Sequence, residues 1–367
     1  MSDQPITYAG AGVDVEAGDR AVALMREWVA RTRRPEVVGD LGGFAGLFDA
    51  SALRAYRRPL LATSTDGVGT KVAIAQRLDV HDTIGFDLVG MVVDDIVVCG
   101  AEPLFMTDYI ACGSVVPERI AAVVKGIAAA CVVAGCALLG GETAEHPGLL
   151  RPDEYDLAGA ATGVVEADDL LGPERVRAGD VLVAMASSGL HSNGYSLVRR
   201  VIEVAGWGLE RHVDELGRTL GEELLEPTRV YAADVLALTR AVRVHAVSHV
   251  TGGGLAANLA RVLPRGLEAV VERGAWTPGP VFGLVRDLGR VPTSDLEGTL
   301  NLGVGMIAVL PTDQADAALR HLRERGVPCL VIGEVRTLQP AGDDYVTQGA
   351  KGVDGGAVRM LGSHPGW

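Results

Sequence analysis

The chain predicts an α/β (α+β) fold in two domains, and three features carry that expectation. Apolar runs of strand length alternate with helix-length stretches, the pattern of layered α/β domains. The 367 residues suit two domains of ordinary size. Between them, Asp168 to Gly179 is polar and contains Gly172-Pro173, a natural junction. The expected division is 1–167, then 168–339. Residues 340–367 are Gly-rich and without periodicity, and are expected to form a mostly disordered tail.

Taken in order, the first forty residues read as a ligand-covering arm and a helix from Gly18 to Thr32, before a glycine loop at 39–46. Strands are expected at 59–64, 104–111, 136–140 and 156–165. Helices fall at 82–99, opened by Asp82-Thr83, and at 117–134, opened by Pro117 at a first-turn position. Past the junction come a strand from Val181 to Met185 and a helix beginning near Asn193. A helix from Leu255 to Val262 and strands at 267–272, 304–310 and 329–335 complete the second domain.

Composition narrows the function. Hydrophobic residues at 48% and charged residues at 22% describe a well-cored globule. A net charge of -14 repels polyanions, and 4% aromatics leave few stacking platforms, so nucleic-acid and anionic-membrane binding are not expected. No apolar run reaches a membrane span, and no basic stretch with an apolar core opens the chain. The five cysteines contain no Cys-x-x-Cys pair. A reduced, soluble, cytoplasmic protein is expected.

Four segments carry chemistry. Ser64 to Lys71, Ser-Thr-Asp-Gly-Val-Gly-Thr-Lys, follows an apolar strand. Gly67 and Gly69 free the backbone to approach a ligand, beside a carboxylate for a metal and a lysine for phosphate. A tight turn with incidental charges is the bland alternative, and neither the common phosphate loop nor the dinucleotide fingerprint fits. The apolar helix 82–99 contains Asp87, Asp94 and Asp95, with Asp87 and Asp94 two turns apart on one face. Bare aspartates there are unfavourable unless paired, hydrogen-bonded or metal-bound. Gly140-Gly141-Glu142-Thr143 presents another carboxylate past a strand end. Asp66, Asp94 and Glu142 together would suit Mg²⁺.

The fourth segment is Ser187 to Ser196, whose Ser188, Gly189, His191, Ser192 and Asn193 precede a helix and form a ready anion site. Gly252-Gly253-Gly254-Leu255-Ala256-Ala257 matches a relaxed dinucleotide pattern, with Glu272 about twenty residues on. Val244 to Val250 is not a continuous apolar run, so this loop reads better as a second phosphate loop or a close-packing site.

In order and spacing, Ser64–Lys71, Asp87–Phe105, Gly135–Gly148, Ser187–Leu197 and His249–Asn258 resemble the phosphoribosylformylglycinamidine cyclo-ligase (aminoimidazole ribonucleotide synthetase) family. So do Thr7-Tyr8 with Ala11–Asp14, Glu226–Arg229 and Gly303–Met306, covering nearly all of Thr7 to Val335. The resemblance implies an N-terminal ATP-binding domain whose sheet pairs across a homodimer. It also implies ATP-dependent ring closure of formylglycinamidine ribonucleotide in purine biosynthesis, through a phosphorylated amide. On this reading Asp66, Asp94 and Glu142 hold Mg²⁺, and Gly67, Gly69, Thr70 and Lys71, with Asp94, Asp95 and Glu142, hold ATP. Ser188, Gly189, Ser192, Asn193, Gly253 and Gly254 hold substrate, and His191 handles a proton, with Asp66 and Lys71 completing the catalytic set. Better-known members carry Asn where this chain has Asp94, so Asp95 is the alternative ligand. The related selenophosphate synthetases, thiamine-phosphate kinases and hydrogenase-maturation proteins would be expected to show a different cysteine placement or Ser-Gly loop.

Overall fold

The computed structural model describes residues 12–40, 42–340, 346–350 and 352–367; Thr7-Tyr8, Ala11 and Leu41 lie outside the described residues. Helix α1 (Val15–Arg31) starts on Asp14, whose carboxylate accepts the Ala17 N–H at 3.0 Å. A short ribbon of β1 (Val37–Val38) and β2 (Leu47–Phe48) frames the glycine loop. Strand β3 (Pro59–Gly67) leads through Gly69 to α2 (Val72–Leu78) and α3 (Ile84–Val97). Then follow β4 (Glu102–Cys112), α4 (Pro117–Ala134), β5 (Ala137–Glu145) and β6 (Tyr155–Glu166).

These strands form a four-stranded sheet in the order β3-β6-β4-β5. Strand β6 is antiparallel to β3 and β4, and β5 is parallel to β4. Helix α3 lies on the sheet and against α4, and α1 packs on α4. On the other face, Leu61 and Tyr109 are 65% and 42% exposed.

The C-terminal domain begins with β7 (Asp180–Ala186), α5 (Tyr195–Ala205) and a ribbon of β8 (His212–Val213) and β9 (Arg218–Thr219). Helices α6 (Leu220–Leu224) and α7 (Ala232–Ala241) precede β10 (Ala246–His249), α8 (Gly254–Ala260) and β11 (Leu267–Glu272). Next come α9 (Pro280–Gly289), α10 (Thr293–Glu297), β12 (Val304–Pro311), α11 (Ala315–Glu324) and β13 (Cys329–Thr337). The last strands are β14 (Val346–Ala350) and β15 (Val353–Leu361). The sheet order is β10-β12-β7-β13-β11-β15-β14, and only the β11–β15 pair is parallel. Its core strand β12 is buried from Val304 to Leu310.

One expectation is corrected. The segment 340–367, read as a mostly disordered tail, contributes β14 and β15 to the sheet, with Ala357 and Val358 buried. Its glycines mark close approach, since a Cβ at Gly356 would meet the Leu263 side chain at 2.7 Å. The topology around Gly252–Gly254 likewise agrees with setting the dinucleotide pattern aside. Strand β10 lies at the sheet edge, antiparallel to β12 and not beside β11, so there is no parallel βαβ unit around the loop. No helix among the described residues is long and apolar enough to cross a membrane. The five cysteines are unpaired thiols.

Candidate active site at the domain seam

Helix α3 joins the two domains through one face. Asp87, Gly90 and Asp94 share it by helical spacing, and all three are buried. Asp87 Oδ1 accepts the Thr228 hydroxyl at 2.6 Å and the Thr228 N–H at 3.2 Å. Both oxygens of Asp94 accept the Tyr231 N–H, at 3.0 and 3.1 Å. Between them, a Cβ on Gly90 would come within 2.6 Å of Thr228 Cγ2, so glycine lets the segment lie down on the helix. The aspartates in this apolar helix are thus clasps that hold residues 228–231 of the other domain.

Lys71 belongs to the same clasp. Its side chain is fully buried and its ammonium donates to Asp87 Oδ1 at 2.7 Å, the Glu226 carbonyl at 2.6 Å and the His191 carbonyl at 3.1 Å. Those three bonds use every donor it has. Burial pulls the lysine pKa down and the Asp87 pKa up, while the attraction between them opposes both shifts. The lysine expected on ATP phosphate is therefore an interdomain pin in this structure.

The loop after β7 faces that pin. His191 sits at φ 61°, a left-handed conformation rare outside glycine, and is buried. Its Nε2 accepts the Ser188 N–H at 3.1 Å, so in the neutral ring the proton is on Nδ1. Burial, followed by the positive charges of His249, Lys71 and Arg229, drives its pKa well below that of free histidine. Ser188 Oγ donates to the Pro227 carbonyl at 2.6 Å and accepts the Arg229 N–H at 3.1 Å, tying this loop to residues 227–229. His249 Nδ1 lies 2.8 Å from Asp95 Oδ1.

Around this seam, several buried polar atoms have no partner among the described residues: Asp87 Oδ2, His191 Nδ1, Ser192 Oγ, Arg229 Nε, Ser248 Oγ and His249 Nε2. Buried polar groups are nearly always hydrogen-bonded, so such a concentration marks a place built for a polar ligand. Ser188 and Gly189 also line a cavity of about 410 Å³ with Arg218, Thr277 and Phe282.

A second polar region lies across the N-terminal sheet. Asp66 and Asp108 both stand opposite Gly159, and Asp108 is also opposite Gly141. Burial raises the Asp108 pKa to about 7. Asp108 and Glu142 line a cavity of about 640 Å³ closed by α1 and the glycine loop at 42–46. Burial likewise raises Asp94 to about 7; the nearby Asp95 charge adds to this, and His249 and the Tyr231 amide oppose it.

The structure brings some expected residues together and separates others. Lys71, Asp94, Asp95, Ser188, His191 and Ser192 gather at the seam. Thr70 reaches the same boundary, its hydroxyl 3.2 Å from that of Ser196. Asp66 is exposed, and its Oδ1 accepts the Gly67 N–H at 2.7 Å, while Gly69 turns at φ 75°. Asn193 donates to Met91 Sδ at 3.1 Å. Gly253 and Gly254, at φ 101° and 72°, open α8 against α10. Among the described residues no three acidic, histidine or cysteine groups converge as a metal cage, so Asp66, Asp94 and Glu142 stand apart. Two residues were not singled out from sequence. Asp108 left a signal, an acid within the strand Leu-Phe-Met-Thr-Asp-Tyr-Ile; Arg229 left none beyond its motif.

The fold and seam define a class. Residues 48–165 match the N-terminal domain, and 177–339 the C-terminal domain, of the AIR synthase related proteins. Among solved structures, thiamine-monophosphate kinase from Stenotrophomonas maltophilia K279a superposes with a TM-score of 0.66 at 20% identity, covering 93% of this chain and 96% of that one. The hydrogenase maturation protein HypE in complex with ATP gives 0.59 at 20% identity over 96% and 97%. At that identity these show the fold alone. Sequence is more specific: the phosphoribosylformylglycinamidine cyclo-ligase of Geobacillus kaustophilus is 52% identical over 89% of this chain and 95% of its own length. That of Acetivibrio thermocellus is 50% identical over 90% and 96%. The chain belongs to the phosphoribosylformylglycinamidine cyclo-ligase family.

Proposed function

We propose that this protein closes the imidazole ring of aminoimidazole ribonucleotide from formylglycinamidine ribonucleotide, at the expense of ATP. The observation that carries the reading is the set of buried polar atoms at the seam without a partner among the described residues, together with a cavity in each domain. The N-terminal cavity, with Asp108 and Glu142 on its wall, is of a size for the nucleotide. The smaller one, walled by Ser188 and Gly189, takes the ribonucleotide substrate. Ser192, Asn193 and the amides at Gly253 and Gly254 contribute to that side.

Phosphorylation turns the amide oxygen into a good leaving group, after which the amidine nitrogen attacks the same carbon and phosphate departs. Such transfer depends on positioning and charge neutralisation more than on covalent help from the protein. His191 is held neutral, with its Nδ1 proton unpartnered, and so can pass or receive a proton at that atom. Mg²⁺ usually takes one or two carboxylates and completes its shell with phosphate oxygens, which fits acids that stand apart in the free protein. Asp66 and Glu142 are exposed and available for it; Asp94 is buried on the Tyr231 N–H, so the exposed Asp95 is the further acid. The metal supplies neutralisation of phosphate charge. The open face of the N-terminal sheet, with Leu61 and Tyr109 exposed, supports pairing of two copies.

The test is ADP release with formylglycinamidine ribonucleotide against thiamine phosphate, with and without Mg²⁺. Turnover on the former that requires Mg²⁺ is expected; turnover only on thiamine phosphate would overturn the reading.

A further inference from the structure

We infer that Arg229 is the cation that meets the transferring phosphoryl group, a role that Lys71 is placed to support only from a distance. The inference rests on the cyclo-ligase reading above. Lys71 is closed off, with no exposure and all three donors used. Arg229 is its opposite. Among the described residues no carboxylate pairs with its guanidinium, and its Nε is buried with no hydrogen-bond partner among them.

A buried Nε–H left without an acceptor on a half-buried arginine is unfavourable, and a phosphate or carboxylate ligand relieves it. The backbone here is fixed from three sides: Thr228 on Asp87, Tyr231 on Asp94, and the Arg229 N–H on Ser188 Oγ. Ser188 in turn donates its N–H to His191, so Arg229 and His191 are held by one residue. The arginine therefore stands where the N-terminal helix α3 and the His191 loop meet.

In the step assigned to it, the amide oxygen forms a bond to the γ-phosphorus as the bond from that phosphorus to the ADP oxygen breaks. Negative charge spreads over the three equatorial oxygens and onto the leaving ADP. A planar guanidinium can donate two parallel hydrogen bonds to such oxygens, which an ammonium cannot. Arginines serving transferring phosphoryl groups elsewhere contribute about 10³–10⁵ in turnover.

The experiment compares Arg229→Met, Arg229→Lys and Lys71→Met with the wild type in ADP release, ATP-analogue binding by calorimetry, and urea unfolding. Arg229→Met is expected to lose at least about 100-fold in kcat and to keep its unfolding midpoint. Arg229→Lys should recover part of the loss. Lys71→Met should lose its unfolding midpoint. Two results overturn the inference: Arg229→Met within about threefold of wild type, or a parallel loss of stability in both Arg229 variants, which assigns the residue to packing. Wild type that fails to turn over formylglycinamidine ribonucleotide overturns the cyclo-ligase reading, and this inference with it.

Discussion

His191 keeps a left-handed backbone at φ 61°, a conformation that is unfavourable by about 1–3 kcal/mol for a residue with a Cβ. The fold sustains it because the Ser188 N–H reaches Nε2, the His191 carbonyl accepts from Lys71, and a Gly305 without side chain leaves room for the ring. Asparagine tolerates the same backbone, so His191→Asn should unfold at nearly the wild-type urea concentration while turnover falls by about 10²–10⁴. Turnover near wild type in that variant would remove His191 from proton handling. Asp108 and Asp94 make a different residue-scale statement. Each carboxyl titrates at 3.8 when free and at about 7 in the fold. Between those values the folded protein retains protons that the unfolded chain has lost, so this contribution is complete below 3.8 and disappears as pH rises through about 7. Melting temperatures between pH 5 and pH 8 should therefore decline with pH. Asp108→Asn should raise the midpoint at pH 8 relative to wild type and flatten the decline.

At the scale of elements, α3 is a hydrophobic helix with two anchors on one face. The helix itself is legible in the sequence, from its apolar run and the Asp82-Thr83 start. That its aspartates needed partners was legible too. Which partners was not, because Lys71, Thr228 and Tyr231 approach only when the two domains close. Local pattern therefore assigned Lys71 to phosphate, as a lysine beside glycines at a strand end invites, while packing took it inside. Breaking this buried pair by removing one partner leaves an uncompensated charge. Asp87→Ala should thus lose about 3–5 kcal/mol, read from the urea midpoint, and loosen the domains. A loss below about 1 kcal/mol, the range of exposed pairs, would show that the pair is solvated in solution.

At the scale of the whole molecule, the last strands complete the C-terminal sheet. Strand β15 covers β11, and β14 becomes the edge. A chain ending at Pro340 should expose the β11 edge, exchange the amides of Leu267–Glu272 faster by hydrogen exchange, and associate through the bared strand. Unchanged protection of those amides would assign β15 a peripheral role.

By itself the sequence determined the alternation of strands and helices, the two-domain layout and the membership of the candidate motifs, because burial period, caps and glycine turns act over a few neighbouring residues. It also determined that the aspartates of α3 had to be satisfied, since an apolar helix offers them nothing. Only the tertiary structure decided how. Closure of the domains turned Lys71 and Asp87 into a buried pair, left the Arg229 Nε without a partner among the described residues, and gathered no three-acid cage there. It likewise recruited β15 to a sheet whose other strands lie far away in the chain. Each of those outcomes depends on desolvation and on contacts between residues distant in sequence, and neither is written in local spacing.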